Sequence, residues 1–429
     1  MMNGNGRRVA IVEGCRTPFI KSGTAFKDVP AVELGRIAVR ELLARSDVDV
    51  DEIDQVVFGT VVQSIKATNL AREVALGSGI PPKAPAFTVG RACASSNQAM
   101  TSAAEHIALG LADVVVAGGA ESLSDIPILF SPQMRAALMR ASKAKTLGAR
   151  LKAFTSIRPR DLAPETPAIA EPSTGLTMGD SAEKMAKENG ISREAQDEWA
   201  LRSHRLAAAG LEDGRLTREI APAVVKGHEG AITRDNGVRS DTSLEKLASL
   251  RPVFDRKYGS VTAGNASPLT DGGSAILLMS EEKAKALGYE PLGYIRAYAY
   301  GALAPGDQLL QGPVFAAPVA LERAGLSMKE IGLLEIHEAF AAQVLSNLQW
   351  FQSKRIAEER LGRSEPIGVP DEDRINVMGG SIAIGHPFGG TGTRLVVTLL
   401  NEMKRRDVEF GMVSVCAAGA MGHVMVVER

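Results

Sequence analysis

Short apolar runs that end near glycine punctuate the chain at Val56–Phe58, Val114–Ala117 and Ile276–Met279, and Ala-rich stretches of helical period separate them. Runs of this length without polar alternation read as strands buried on both faces, so the pattern predicts an α/β fold. Ala86–Val89 reads as another strand, Ser95–Gly110 as a helix and Asp113–Gly119 as the strand after it. The final third repeats this logic. Ile331–Ile336 reads as a strand, a helix follows from about Glu338, a glycine-rich passage runs from Met378 to Gly392, and a pair of strands closes the chain. Two similar core domains are therefore expected. In the first, the Ala86–Val89 strand leads to Cys93 and its helix; in the second, Ile375–Val377 leads to the loop that holds His386.

The pattern changes between about Ile126 and Lys257, with basic helical stretches, a proline-rich loop at Pro159–Pro172 and a charged helix at Asp180–Leu206. Strand-like runs resume after Gly259. The expected organisation is a first core domain at 1–125, an inserted loop domain at 126–257, completion of the first core at 258–290, and a second core at 291–429. A chain of 429 residues is long enough for more than one such packed unit.

Composition narrows the function. A formal charge of -1 gives no general attraction to nucleic acid. Cys15, Cys93 and Cys416 are the only cysteines and fall in no CxxC or CxxH cluster, so neither a disulfide framework nor a zinc module is expected. No window approaches the length of a membrane span. Met1–Arg8 is followed by no apolar signal core, because Glu13 and Gly14 stop the run from Val9 to Val12. These features lead us to expect a reducing, cytoplasmic setting.

Cys93 lies between a strand and a helix, where unpaired N–H groups and the helix dipole favour a thiolate. Taken alone, such a cysteine is more commonly a small buried apolar side chain, and the rest of the chain reverses that reading. His386 is presented from a loop rich enough in glycine for backbone to approach a ligand closely, and it is a candidate base for Cys93. That loop lacks the spacing and lysine of a phosphate-binding P-loop. His337 stands at the carboxyl end of a strand, where α/β proteins tend to build sites. Ala341 occupies the place where an HExxH zinc motif needs its second histidine, and no metal is expected. Cys416 ends another strand among small residues, where a second thiol could move a proton.

Six motifs then occur in order: Arg16-Thr17-Pro18-Phe19, Ala92-Cys93-Ala94-Ser95, Thr262-Ala263-Gly264-Asn265-Ala266-Ser267, His337-Glu338-Ala339-Phe340, Gly385-His386-Pro387 and Cys416-Ala417-Ala418-Gly419. As a set, they make essentially the whole chain resemble the thiolases. His337, where most thiolases have Asn, brings the chain nearest to the degradative 3-ketoacyl-CoA thiolases that serve as β subunits of fatty-acid oxidation complexes.

The resemblance implies a thiolase-like fold and thiolytic cleavage of 3-ketoacyl-CoA by CoA, with CoA as substrate and no resident cofactor. It implies that Cys93 is acylated, that His386 activates it and that Cys416 handles the proton on the α-carbon. One oxyanion hole would use His386 and a water held by His337. The other would use the backbone N–H of Cys93 and one from the Cys416 loop, where Gly419 is a candidate substrate-binding residue. Met178 and Ser267 match positions around pantetheine and acyl group. The chain departs from the family at Ala420, where a third glycine is common; if that position requires φ > 0, the methyl group costs energy.

The resemblance further implies a homodimer, within an α2β2 complex whose other subunit carries hydratase and dehydrogenase activities. From Ser131 to Arg160 there are eight basic residues and no acidic one, with Met134, Leu138, Met139, Leu147 and Leu151 spaced for an amphipathic helix or helix pair. This segment is a candidate contact for the partner subunit or a membrane surface, the alternative being a solvated face. Two other activities fit the same motifs less well. A biosynthetic acetoacetyl-CoA thiolase or related condensing enzyme is disfavoured by His337 and Cys416, and a non-catalytic lipid-binding or scaffolding subunit by the presence of both Cys93 and His386.

Overall fold

The computed structural model describes residues 6–164 and 170–429, so part of the Pro159–Pro172 loop and the first residues of the chain lie outside it. The strands are β1 Val9–Arg16, β2 Ile20–Lys21, β3 Gln55–Gly59, β4 Ala86–Val89, β5 Val114–Glu121, β6 Thr270–Ser280, β7 Gly293–Ala302, β8 Leu333–Ile336, β9 Phe410–Ala417 and β10 Met421–Glu428. They form one mixed sheet in the order β4-β3-β5-β6-β1-β7-β10-β9-β8, with β2 added to β6.

The duplication expected from sequence is visible in this order. β3 runs parallel to β5, which is antiparallel to β6, which is antiparallel to β1. In the other half, β8 is parallel to β9, β9 antiparallel to β10, and β10 antiparallel to β7. The halves join where β1 pairs β7. β4 lies parallel to β3, and in the second half the corresponding place is held by a single parallel bridge between Leu334 and Ile375. Ile375–Val377, expected as a strand, is thus reduced to isolated bridges, with only Ile375 paired to β8. Asn376 explains this: its side chain takes the N–H of Ile336 at 2.6 Å and donates to the Ile336 carbonyl at 2.9 Å, occupying the ladder that a strand backbone would use.

Alternate residues of the strands enter different cores. Val57, Val115, Ile276, Val413, Val415 and Met425 meet the helices Ser95–Ala108 and Thr391–Arg406 in a core shared by both halves. Their neighbours Val56, Val116 and Leu277, and in the second half Met412, Val424 and Val426, face separate outer cores. Burial on both faces is why these strands lack polar alternation.

The region 126–257 divides into two parts. Ile126–Ile169 is a compact unit of its own, while the chain from Ala170 belongs with the main body. The small unit contains the helices Pro132–Lys143 and Leu147–Lys152, each capped by a hydroxyl, Ser131 and Thr146 respectively. Ala137 is buried within it, and Met139, Leu147 and Leu151 are exposed. The single helix expected over Asp180–Leu206 is two, Met178–Asn189 and Arg193–Glu212, because Gly190 takes φ 64° and Ser192 caps the second. Among the described residues no helix is long and apolar enough to cross a membrane.

One buried ion cluster ties distant segments together. Arg16 at the end of β1 is fully buried; its Nε donates to Glu219 at 2.7 Å and its other nitrogens to Asp235 at 2.7 and 2.9 Å. Glu219 also accepts from Thr398 of the second half at 2.9 Å. Replacing Arg16 by Leu would leave two carboxylates buried without a cation, an expected loss of about 3–5 kcal/mol. Urea unfolding should show this as a lower midpoint; a change under about 1 kcal/mol, the worth of an exposed pair, would contradict it.

Candidate active site

Cys93 sits in the turn between β4 and the helix Ser95–Ala108. The turn is fixed by the Ser95 hydroxyl, which donates to the Ala92 carbonyl at 2.7 Å and accepts the Arg91 N–H at 2.8 Å. Ala92 is held at φ 45°, a conformation that costs a side-chain-bearing residue roughly 1–2 kcal/mol. Cys93 keeps some solvent contact, while Cys15 and Cys416 are buried.

The second half delivers two histidines to Cys93. Sγ of Cys93 and one nitrogen each of His337 and His386 lie within 4.8 Å of one another, and the two rings have centroids 4.1 Å apart. His337 follows β8 and donates its backbone N–H to the Ser414 carbonyl at 2.8 Å. Its Nδ1 meets the Ser381 hydroxyl at 2.9 Å. His386 Nδ1 meets the Thr391 hydroxyl at 2.7 Å, and that hydroxyl gives its own proton to the Pro387 carbonyl at 2.9 Å. Thr391 can therefore only accept from His386, so Nδ1 carries the imidazole proton and Nε2 is left with a lone pair. Both Nε2 atoms are buried without a partner, which is where a reacting group would complete the bonding.

Burial pushes the Cys93 thiol up to about 11, against the backbone N–H groups of Ala418 and Cys93 itself, which favour the thiolate. His386 is driven down to about 3 by burial and by Arg394, and His337 falls well below the usual imidazole range through burial, His386 and Arg394. The resting site is thus a neutral thiol beside neutral imidazoles. Cys416 is raised well above the usual thiol range by burial and by the neighbouring Cys93, so it holds its proton.

The loop after Cys416 presents its N–H groups unequally. Ala418 faces the Cys93 sulfur, whereas the Gly419 N–H is taken by Glu171 at 2.5 Å. Ala420 does adopt the left-handed conformation, at φ 56°, and is fully buried. Met178 opens its helix and packs on the cluster that contains Cys416. Ser267 lines a cavity of about 520 Å³ together with Lys21, His204, Arg239 and Ile382. The segment beyond Ser267 reaches the site, since Leu269 bridges to His386.

Several residues that hold the site were not singled out from sequence. Glu121 at the end of β5 accepts the N–H groups of Val61, Val62 and Gly389 at 2.9 to 3.0 Å, clamping the His386 loop to the first half. Burial raises its carboxyl to about 7 against those donors. Glu338 accepts from Trp199, Ser203 and Asn376 at 2.7 to 3.0 Å and so fixes the turn after His337. Ser381 also receives Arg394 Nη2 at 2.7 Å.

Residues 9–282 match the family profile of the thiolase N-terminal domain and 289–429 that of the thiolase C-terminal domain. The sequence is 51% identical over 428 residues to a 3-ketoacyl-CoA thiolase of Yersinia enterocolitica, spanning 100% of this chain and 98% of that one. It is 50% identical, with the same coverage, to a 3-ketoacyl-CoA thiolase of Yersinia pestis. Among solved structures, the acetyl-CoA acetyltransferase of Bacillus anthracis superposes with a TM-score of 0.84 at 35% identity, covering 99% of this chain and 100% of that one. Human mitochondrial 3-ketoacyl-CoA thiolase in complex with CoA superposes with a TM-score of 0.82 at 33% identity, covering 98% of each chain.

A thiol raised to about 11 has a thiolate fraction that grows about tenfold per pH unit through the neutral range. Alkylation of Cys93 by iodoacetamide in the free protein should therefore climb from pH 6 to beyond pH 9 without levelling, when followed by peptide mass spectrometry. A plateau below pH 8 would show a preformed thiolate instead.

Proposed function

The chain belongs to the thiolase family, and from that premise we propose that it cleaves 3-ketoacyl-CoA with CoA, giving acetyl-CoA and an acyl-CoA shortened by two carbons. The observation that carries this reading is the convergence of Cys93, His337 and His386 within 4.8 Å, with the Ala418 N–H aimed at the sulfur. A cysteine and two histidines are also a donor set for zinc. N–H groups directed at the sulfur favour a reaction centre that develops negative charge, and the proposed chemistry needs no cofactor beyond CoA as substrate.

His386 Nε2 takes the Cys93 proton as sulfur adds to the 3-keto carbon, and the carbonyl oxygen becomes an oxyanion. Collapse breaks the bond between the second and third carbons. The electron pair leaves as the enolate of acetyl-CoA, which takes the Cys416 proton, and Cys93 is left as an acyl-thioester. A second CoA gives its thiol proton to Cys416 and attacks that thioester. The N–H groups of Cys93 and Ala418 favour the new oxyanion, each worth about 3–4 kcal/mol in comparable sites. Collapse releases the shortened acyl-CoA, and Cys93 recovers its proton from His386. The buried, protonated state of Cys416 suits the first transfer.

The cavity beside Ser267 supports CoA recognition. Lys21 and Arg239 line it and, among the described residues, neither makes an ion pair, which leaves two cations for phosphate. We read the enzyme as cytoplasmic and as a homodimer; the pairing is favoured by β4, whose partly buried residues form a free edge of the sheet. Ile126–Ile169 supports attachment to a hydratase/dehydrogenase α subunit in an α2β2 complex, or to an anionic membrane: of its eight basic residues between Ser131 and Arg160, only Arg160 has an ion pair among the described residues.

Mass spectrometry of short-chain and long-chain 3-ketoacyl-CoA with added CoA tests the reading. Wild type should form acetyl-CoA and the shortened thioester, Cys93→Ser should lose roughly three orders of magnitude or more in kcat, and Arg239→Glu should raise KM for CoA about tenfold with kcat little changed. Failure of wild type on both chain lengths, with a partner subunit supplied, would overturn it. Reversing Lys143 and Lys145 to Glu should weaken either binding to a partner α subunit or sedimentation with anionic liposomes; if both persist unchanged, the attachment role is wrong.

A further inference from the structure

We propose that Ser381, backed by Arg394, is a positioning residue that fixes His337 as the Nε2–H tautomer, opposite to the tautomer of His386. The inference deepens the thiolase reading and rests on it for its catalytic meaning, but the hydrogen-bond argument stands on its own. Ser381, Arg394 and His337 are all fully buried, so no solvent can correct an unmet bond. The Ser381 hydroxyl has one proton and two lone pairs. One lone pair is occupied by Arg394 Nη2 at 2.7 Å, and a guanidinium can only donate. The other neighbour is His337 Nδ1 at 2.9 Å.

Two arrangements are then possible. If His337 carried its proton on Nδ1, Ser381 would accept twice and its own proton would be buried without an acceptor, a penalty of about 1–3 kcal/mol. If Ser381 donates to Nδ1, the hydroxyl proton, the lone pair facing Arg394 and His337 Nδ1 all have partners, and the proton of His337 must sit on Nε2, which is left for a reacting group. The cation on the far side strengthens that donation, since it draws electron density from the hydroxyl. At His386 the local chemistry is reversed. Thr391 spends its proton on the Pro387 carbonyl, so it accepts from Nδ1 and leaves Nε2 basic.

The consequence is a division of labour between two adjacent rings of the same residue type. His386 Nε2 can receive the Cys93 proton, and His337 Nε2–H can only give a hydrogen bond, to an oxygen that gains charge or to a water beside it. Were both rings the same tautomer, the pocket would hold either two acceptors and no donor for an oxyanion, or two donors and no base. Removing the Ser381 hydroxyl should release His337 to exchange tautomers and weaken the donor without touching the base.

The full-length protein labelled with ¹⁵N-histidine provides the test. A long-range ¹H–¹⁵N spectrum separates protonated from unprotonated ring nitrogens, and the His337 signals are those lost in His337→Asn. Wild type without substrate should show His337 with Nε2 protonated and His386 with Nδ1 protonated. Ser381→Ala should shift His337 toward the Nδ1–H form and lower kcat about tenfold, while KM for CoA and the rate of Cys93 alkylation stay within about twofold of wild type. Ser381→Thr, which keeps the hydroxyl, should restore much of the loss. Wild-type His337 protonated on Nδ1, or a tautomer unmoved in Ser381→Ala, would overturn the proposal. Because the wild-type spectrum is itself decisive, a variant that fails to fold does not protect the idea. The spectrum is independent of turnover, so a wild type with the expected tautomers but no thiolysis would count against the thiolase reading alone.

Discussion

Gly119 of β5 and Gly389 of the His386 loop pass so close that a Cβ on Gly119 would lie 1.9 Å from the Gly389 carbonyl oxygen. No side chain fits there, and the site depends on that fit. Cys93 belongs to the first half and both histidines to the second, so a displacement of about an ångström at this seam separates the sulfur from both rings. Glu121, two residues further along β5, holds the same seam by accepting the Gly389 N–H. The helices Ser95–Ala108 and Thr391–Arg406, which begin immediately after the two site loops, pack in one shared core and carry that alignment into the body of the protein.

Rigidity of this kind lets the protein hold backbone in conformations that isolated chains avoid. Apart from Asp47 and Asp407 at helix ends, the non-glycine residues at positive φ among those described are Ala92, Asn376 and Ala420. Ala92 precedes Cys93, Asn376 braces the strand that ends at His337, and Ala420 closes the loop after Cys416. Each would cost about 1–3 kcal/mol unless the surroundings over-determine it. Strain gathered around the candidate site, and not elsewhere, is what a site assembled for geometry would show.

Of the candidate residues, Cys93, His337 and Cys416 lie at or just beyond the carboxyl ends of strands, and such strands show in sequence as apolar runs. Those three stood out as candidates in this way and His386 through its glycine-rich loop, while the repeated order of strands was legible from the apolar runs. The supports of those four residues were not. Glu121 lies 268 positions from Gly389, and Ser381 lies 44 from His337, so no local pattern relates them; only the fold brings them together. Gly419 was a candidate through the family resemblance, but which N–H of that loop faces the site depends on Glu171, 248 positions away in the chain. The small unit at 126–169 was legible as a change in charge, while its end was not, because the helices after Ala170 are again rich in charge and no strand-like run marks where they join the main body.

β1 ends at Arg16, yet its partner β6 begins at Thr270, and most of the intervening chain must be made before the two can meet. At synthesis rates of about 5–20 residues per second, that interval is roughly 10–50 s. During it, β1 and β5 are apolar strands with unsatisfied edges, and the buried Arg16 has neither Glu219 nor Asp235 beside it for most of the wait. A polypeptide built this way is exposed to mispairing on the ribosome far longer than one with local contacts. Its yield in a cell should therefore be governed by the supply of holdase chaperones as much as by the stability of the finished fold.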